Sequence, residues 1–257
     1  MKKLLCLFST VALTLISCSS EDDTSTSSGT QLTKIIETYD DGTVETVSFE
    51  YNGNKIVNVS SDLDFRDETI YTYTGDLITK EEYFFDDGAG FSFEEVIDYE
   101  YDSSSRLIKS IRTDEDGEIE IDDFTYNSNG TVSFITTANS TTVASGTIYF
   151  NGNQPYKKEI TENPGTAFEV SWVEETTFDS KISPFTNVTG FAKIAIGTPK
   201  YTRGYPGIVN NSLDFSIDDN LDDSSSYTYN SNDMPATETY IDFDNSDNNS
   251  TIQYIYN

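Results

Sequence analysis

A short unit of aromatic, polar, aromatic, then Asp or Asn recurs along most of this chain and constrains its fold more than any other feature. The unit is complete at Tyr99-Glu100-Tyr101-Asp102 and returns about every 25 residues, a period with room for two strands and two turns. The interval from 178 to 229 is about twice as long as the others. The second aromatic residues of the units are Tyr51, Tyr73, Tyr101, Tyr126, Phe150, Phe178, Tyr229 and Tyr256.

Within each unit, aromatic and polar residues alternate, which predicts antiparallel strands with one solvent-exposed face. Tyr99 and Tyr101 point to one side of a strand, while Asp98 and Glu100 point to the other. Asn-Gly and Asp-Gly pairs between the strands are typical of tight hairpins. The predicted fold class is all-β, a long antiparallel up-and-down meander of roughly 14 to 16 strands. Because each strand twists by roughly 20 to 25° against its neighbour, we expect a barrel-like or half-barrel sheet with the aromatics inside.

The double-length interval predicts an insert at about 182–223 with one short helix. Ser183 and Pro184 suit a helix start, and apolar residues at helical spacing favour a helix around 184–196. A Pro- and Gly-rich loop follows, in which Tyr201, Arg203 and Tyr205 could contact an anionic or sugar ligand. The alternative is that the insert is a plug or lid that closes the curled sheet.

The N-terminus predicts export and attachment to a membrane. Residues 1–17 have a charged start and a short apolar run, as a signal peptide does. The end of that run, Leu15-Ile16-Ser17-Cys18, resembles the bacterial lipoprotein box, which implies lipid attachment at Cys18. An ordinary signal peptide with a chance cysteine is the alternative. Residues 18–31 are rich in Ser, Thr and acidic residues and predict a flexible tether. Its stretch Ser19-Ser20-Glu21-Asp22-Asp23 resembles a signal for the outer face of the outer membrane, so the resemblance implies a barrel facing the cell exterior.

The repeated form Tyr-x-Tyr-Asp/Asn-x-x-Gly-x-Leu resembles the YD repeat of Rhs-type shell proteins and of short YD-repeat surface lipoproteins of uncharacterised function. The resemblance covers residues 32–178 and 225–257. It supports the fold and implies no activity. The length and the patterned aromatics predict a single β-repeat domain at 32–257.

The net charge and the residue types present exclude several kinds of partner and active site. A net charge of -30 repels phosphate backbones, so nucleic acid is not an expected partner. The chain has no histidine, which excludes Ser-His-Asp and Cys-His nucleophiles and histidine zinc sites. The acidic stretches at 114–118, 218–223 and 242–244 lack the full ligand spacing of a calcium loop and predict turns. Trp172 predicts either a sugar-stacking ring or a core position. We predict no catalytic residue, metal ligand or cofactor.

These observations lead to one functional hypothesis and two alternatives. The hypothesis is a surface lipoprotein whose sheet is a non-catalytic binding or structural module for a glycan or a protein. The first alternative is a glycoside hydrolase that uses two carboxylates, since acidic residues are abundant. The second is a transmembrane barrel, although the polar turns and strand faces disfavour a tall lipid-facing band.

Overall fold

Sixteen antiparallel strands close into a barrel in the computed structural model, which describes residues 30–63, 66–86, 88, 90–200 and 207–257. Each strand pairs with its neighbours in sequence, and the first strand pairs with the last. The predicted all-β meander is therefore confirmed, and the sheet closes fully. Residues 1–29, including Cys18, lie outside the described residues, so the signal peptide and the lipid anchor stay predictions.

The strands are short and follow one another with few long connections. The first eight are β1 (Leu32–Tyr39), β2 (Val44–Asn52), β3 (Lys55–Ser61), β4 (Arg66–Thr74), β5 (Leu77–Asp86), β6 (Phe91–Tyr101), β7 (Leu107–Asp114) and β8 (Ile119–Tyr126). The other eight are β9 (Val132–Ala138), β10 (Thr141–Asn151), β11 (Gln154–Glu162), β12 (Val170–Phe178), β13 (Ser212–Ile217), β14 (Asn220–Tyr229), β15 (Pro235–Asp242) and β16 (Ser250–Tyr256). A helix of one turn, α1 (Phe191–Ile194), and a 3-10 turn at Ser246–Asn248 complete the described elements.

The alternating strand directions bring every aromatic unit to the same end of the barrel, called here the motif end. It carries the hairpins that follow β2, β4, β6, β8, β10 and β14, together with the long connection after β12. Both termini of the domain also lie there, because the N–H of Asn257 donates to the carbonyl of Gln31 at 3.1 Å. The N–H of Gln31 donates in turn to Oδ1 of Asn257 at 2.9 Å.

The Asp or Asn of each unit has a structural role at the turn. Asp102 Oδ1 accepts hydrogen bonds from the backbone N–H groups of Ser104 and Arg106, at 2.8 and 3.0 Å. Asn230 Oδ1 accepts from Met234 in the same way, at 3.3 Å. A short side chain that replaces a backbone acceptor is the reason Asp and Asn favour turns. The Asp or Asn in the fourth position of the unit therefore serves to form the hairpin turn.

A β-bulge follows the second aromatic residue in most hairpins of the motif end. Tyr101 pairs with Leu107 while Glu100 pairs with Lys109, which leaves Ile108 as the extra residue. Bulges of this kind bend a strand and increase its twist, as a closed barrel of short strands requires. The same shift in register occurs at Tyr51, Tyr73, Phe150 and Tyr229.

The hydrophobic core fills the barrel near the motif end, and the outer wall is polar. Opposite charges pair on the outside in the middle of strands, as Lys109 does with Asp123 at 3.3 Å and Lys157 with Glu175 at 3.5 Å. The core contains the buried wall residues Ile78, Ile97, Tyr99, Leu107, Phe124, Val132, Phe134, Ile148 and Ile160, with Ile194 and Ile196 from the insert.

The insert is a plug inside the barrel rather than an external lobe. Its chain contacts strands all round the wall: Tyr73 donates to the carbonyl of Thr189 at 3.1 Å on one side, and Lys158 Nζ donates to the carbonyl of Pro199 at 3.0 Å on another. Ile194 and Ile196 belong to the core. Only a segment within the lumen can reach these positions together. The plug is defined here as the described residues 179–200 and 207–211.

Two predictions about the insert are corrected. The helix covers only Phe191–Ile194 instead of 184–196, because Gly190 has a φ of +82° and interrupts it against the backbone of Asp76. The insert ends before Ser212 rather than near 223, because β13 and β14 form a regular hairpin of the wall. Among the described residues, no helix is long and apolar enough to cross a membrane.

Candidate functional site

The ligand-contact residues predicted from sequence, Tyr201, Arg203 and Tyr205, lie outside the described residues. Lys193 and Lys200, which precede this loop in the sequence, lie apart in the structure. Lys200 reaches Glu120 on the barrel wall at 3.5 Å and is largely buried. Lys193 is exposed on α1, beside the turns of the motif end. Lys193 and Lys200 therefore do not form a single site in the described structure.

Two side chains fix the returning part of the plug. Gln154, buried at the start of β11, accepts hydrogen bonds at Oε1 from the N–H groups of Ile208 and Val209, both at 3.0 Å. Asp179, at the end of β12, accepts from the backbone and side-chain amides of Asn211 at 3.0 and 2.9 Å. A charged acceptor with several donors makes strong hydrogen bonds, so the border between plug and wall is rigid.

A groove of about 740 Å³ opens at this border. One side is the hairpin that joins β10 to β11, and the other is the end of β12 with the returning plug. Phe150, Tyr156 and Phe178 provide aromatic surface, and Asn151 and Asn153 provide amide groups. Tyr156 is the extra residue of the bulge opposite Tyr149 and Phe150, and a bulge changes the direction of a side chain. Asp179 is the only carboxylate among the described residues that line the groove.

A second cavity, of about 410 Å³, adjoins the groove. It lies between α1 and the turns after β6, β8 and β10. Phe150, Gly152 and Asn153 line both spaces, so they form one continuous surface at the motif end. The side chains that line only the second cavity include Arg106, Tyr126 and Lys193.

A belt of carboxylates lies inside the barrel below the aromatic residues. Glu81 accepts from the hydroxyl of Tyr99 at 2.9 Å, and burial raises the pKa of the Glu81 carboxyl. Asp122 accepts from Ser110 at 3.0 Å and Thr136 at 2.6 Å, and burial raises the pKa of Asp122 to about 6. Hydroxyl donors thus hold these acids in the wall, and their environment favours the neutral form.

Two carboxylates of this belt are opposite each other on neighbouring strands, as the members of an acid pair would be. Glu37 and Glu45 face each other across β1 and β2, and burial raises the pKa of Glu37. Each is held by a hydroxyl, since Ser250 donates to Glu37 and Ser61 to Glu45. Glu238 nearby accepts from Tyr227 and Tyr254. The hydroxyl donors therefore explain why these carboxylates lie inside the barrel: they accept hydrogen bonds from the wall.

The acidic stretches that partly resembled calcium loops form turns. Asp114 Oδ1 accepts from the N–H groups of Asp116 and Glu118 at 3.1 and 2.9 Å. Asp242 Oδ1 accepts from Asp244 and Asn245 at 2.9 and 2.8 Å. Among the described residues, no group of three or more acids, cysteines or histidines is placed to hold a metal ion.

Trp172 lies on the inner face of β12 and packs against the core, away from the groove. Its indole N–H donates to Glu174 Oε1 at 3.0 Å, and Glu174 also pairs with the buried Lys158 at 2.7 Å. Of the two interpretations left open by the sequence, the core position is the one observed.

The two ends of the barrel differ in chemistry. The motif end carries the groove and its polar turns, whereas most exposed large apolar side chains cluster at the opposite end. That end displays Val44, Phe91, Phe93, Ile119, Phe168, Val170, Leu221, Ile241 and Phe243.

Sequence did not single out the groove residues. Phe150 was recognised only as one of the repeated aromatics, and Tyr156 carried no signal of its own. The available clue was Asn151-Gly152-Asn153, a turn with more amide groups than a two-residue hairpin needs. The plug residues that line the groove could not be predicted from sequence, because their position depends on how the chain folds back into the lumen.

No known protein family matches the chain, and no curated protein does. Two solved structures are similar in shape. A porin-like protein from Bacteroides uniformis has 13% sequence identity and a TM-score of 0.49, over 88% of this chain and 98% of that protein. A porin-like protein from Bacteroides vulgatus has 11% identity and a TM-score of 0.44, over 89% and 99% of the two chains.

Proposed function

We propose that this protein is an outer-membrane lipoprotein whose barrel binds carbohydrate at its motif end without catalysing a reaction. The observation that carries the proposal is the groove of about 740 Å³ with its three aromatic rings and two amides. Aromatic faces pack against the apolar faces of sugar rings, and a few fixed polar groups orient a ligand. The side chains of Asn151 and Asn153 make no hydrogen bond to the described residues, so both amides are available to sugar hydroxyls.

The groove favours binding over hydrolysis. Glycoside hydrolysis by carboxylates requires a pair of acids that flank the bond, separated by roughly 5 to 9.5 Å. Asp179 is the one carboxylate among the described lining residues, and it already accepts hydrogen bonds from Asn211 and Tyr229. The acids of the interior belt are held by hydroxyl groups of the wall and do not line the groove.

The outer wall supports a barrel held beside the membrane rather than through it. Lys80, Lys109 and Lys157 lie in the middle of their strands and pair with carboxylates on the outside. A lysine on the lipid-facing side of a barrel costs roughly 2 to 4 kcal/mol at the bilayer midplane. The first described residues lie at the motif end, so the 13 residues from Cys18 to Thr30, at random-coil dimensions, would hold that end within about 20 Å of the bilayer.

Fractionation tests the attachment. The full chain and its Cys18→Ala variant are expressed in a Gram-negative host, and membranes are washed with alkaline carbonate. We expect the wild-type protein to stay with the membranes and the variant to appear in the soluble fraction, because the anchor alone holds the barrel. A Cys18→Ala protein that still requires detergent would identify a barrel embedded in lipid.

A glycan array probed with the Cys18→Ala protein tests the binding. Tyr156→Ala should lower the affinity for the best glycan at least about tenfold, a loss of about 1.4 kcal/mol. Tyr149→Ala is the matched control, because Tyr149 is the adjacent aromatic on the outer wall, where Lys157 lies over its ring and Glu159 accepts from its hydroxyl. Failure of every glycan to bind, or equal losses in the two variants, would reject the proposal.

A further inference from the structure

The cavity beside the groove differs in charge from the rest of the molecule. The chain has 45 acidic and 15 basic residues, yet the described residues lining this cavity include Arg106 and Lys193 and no carboxylate. Asp102, which pairs with Arg106, does not line the cavity, and among the described residues the positive charge left unpaired at the cavity is that of Lys193.

Lys193 is unusual among the described cations. Nearly all of them lie within 4 Å of a carboxylate, including the buried Lys158 and the surface residues Lys55 and Lys181. Lys193 has no such partner among the described residues, and its side chain is exposed at the cavity. An ammonium group without a counter-charge is available to an anion from solution.

Arg106 is held in place across the cavity. Its Nε donates to Asp102 at 2.8 Å, and its Nη2 lies 2.6 Å from the same carboxylate. The guanidinium also lies over the ring of Tyr126, 4.6 Å from the centroid. Stacking and ion pairing order the side chain, and a planar guanidinium retains further N–H donors that suit an anionic oxygen.

The cavity is continuous with the groove through Phe150, Gly152 and Asn153. A chain of sugar residues could therefore occupy both spaces, with one residue against Phe150 and the next between Arg106 and Lys193. The apolar lining from Val132 and Ile196 suits the carbon face of a ring.

We propose that this cavity is a subsite for an anionic sugar residue, one that carries a carboxylate or a sulfate ester, within the glycan bound by the groove. This inference rests on the proposed carbohydrate-binding function. Arg106 and Lys193 contact the anionic oxygens, and the ring of Phe150 contacts the sugar. The protein thus selects acidic glycans despite its own negative charge, because the attraction is confined to one cavity.

Matched pairs of oligosaccharides test the inference with the full-chain Cys18→Ala protein. Each uronic-acid oligomer is measured beside its neutral methyl ester, and each sulfated oligomer beside its desulfated form. We expect the acidic form of the best pair to bind at least about tenfold more tightly, with a preference that weakens as salt is raised. The class that shows the preference identifies the anionic group.

Lys193→Gln should reduce that preference to about twofold or less while binding of the neutral form is retained. Lys34→Gln is the control, because Lys34 is also exposed and without a described carboxylate partner, but lies on β1 away from the cavity. Equal binding of acidic and neutral forms by the wild-type protein would overturn the subsite and leave the groove intact. Absence of binding to both forms would overturn the proposed function and the subsite together.

Discussion

Tyrosines at the same position of different repeat units make different contacts, so their hydroxyl groups contribute differently to the free energy of unfolding. The hydroxyl of Tyr101 donates to the carbonyl of Ile78 at 2.6 Å. The hydroxyl of Tyr51, at the same position of its own unit, is buried and has no partner among the described residues. A buried hydroxyl without a hydrogen bond destabilises the folded state, whereas a paired one contributes about 1 kcal/mol.

Replacement by phenylalanine should therefore have opposite effects at the two positions. Tyr101→Phe is expected to lower the free energy of unfolding by about 1 kcal/mol, and Tyr51→Phe to leave it unchanged or raise it slightly. Urea denaturation of the two variants gives both values under identical conditions. A loss at Tyr51 as large as that at Tyr101 would mean that the Tyr51 hydroxyl has a partner of equal strength.

Asp122 should make stability depend on pH. Its folded-state pKa of about 6 lies above the unfolded value of about 3.9, so the folded protein binds the proton more tightly. Stability contributed by this group is present at low pH and is lost as pH rises from about 4 to about 6. Asp122→Asn removes the charge, so it should flatten this slope and stabilise the protein above pH 6 by up to about 3 kcal/mol.

The adjacent residue supplies the control for that measurement. Asp123 faces outward and pairs with Lys109 on an exposed surface. Asp123→Asn should change the free energy of unfolding by less than about 1 kcal/mol and keep the wild-type pH profile. Thermal unfolding midpoints between pH 4 and pH 8 distinguish the variants, and an unchanged slope in Asp122→Asn would contradict the assignment.

At the level of elements, β11 and β12 are joined to the plug by one buried ion pair. Lys158 Nζ lies 2.7 Å from Glu174 and donates to the carbonyl of Pro199, while burial lowers the pKa of the lysine. Lys158→Met should reduce the free energy of unfolding by about 3 to 5 kcal/mol, because it leaves Glu174 charged and buried. The double variant Lys158→Met/Glu174→Gln should regain at least about 2 kcal/mol, since no buried charge remains.

A double-mutant cycle measured by chemical denaturation tests this coupling. Lys157→Met is the reference for loss of a lysine, because Lys157 pairs with Glu159 and Glu175 on the outer wall and should contribute less than about 1 kcal/mol. If the double variant is no more stable than Lys158→Met, the loss comes from packing or from the contact with Pro199 rather than from the unpaired carboxylate.

The predictable elements are those that local chemistry defines. Alternation at Tyr99 and Tyr101 identified the inward face, and Asp102 marked the turn, because both depend on residues adjacent in sequence. The bulge at Ile108 gave no sequence signal, since a change in register depends on the partner strand. The path of the plug also gave no sequence signal: α1 begins only at Phe191 because Gly190, with a φ of +82°, lies against the β4–β5 hairpin, a contact between distant segments.

At the scale of the whole molecule, closure makes the two ends of the domain neighbours. Gln31 and Asn257 exchange hydrogen bonds, and β1 pairs with β16 along its length. A closed sheet has no free edge for another chain to pair with, and its strand order has no required starting point. The strand pairing therefore does not require the chain to start at β1, and another loop could serve as the starting point.

Circular permutation tests this consequence. Residues 257 and 31 are joined by about three glycines and serines, and new termini are placed between Pro164 and Gly165, in the exposed connection from β11 to β12 at the opposite end. We expect a monomer with the wild-type far-ultraviolet spectrum, because every strand keeps both neighbours. A second permutant opened between Ile196 and Gly197 should fail to fold, since it places two charged termini in the core beside Tyr99 and Leu107. If the first permutant aggregates as the second does, then the pairing of β1 with β16 is too weak to hold the barrel closed.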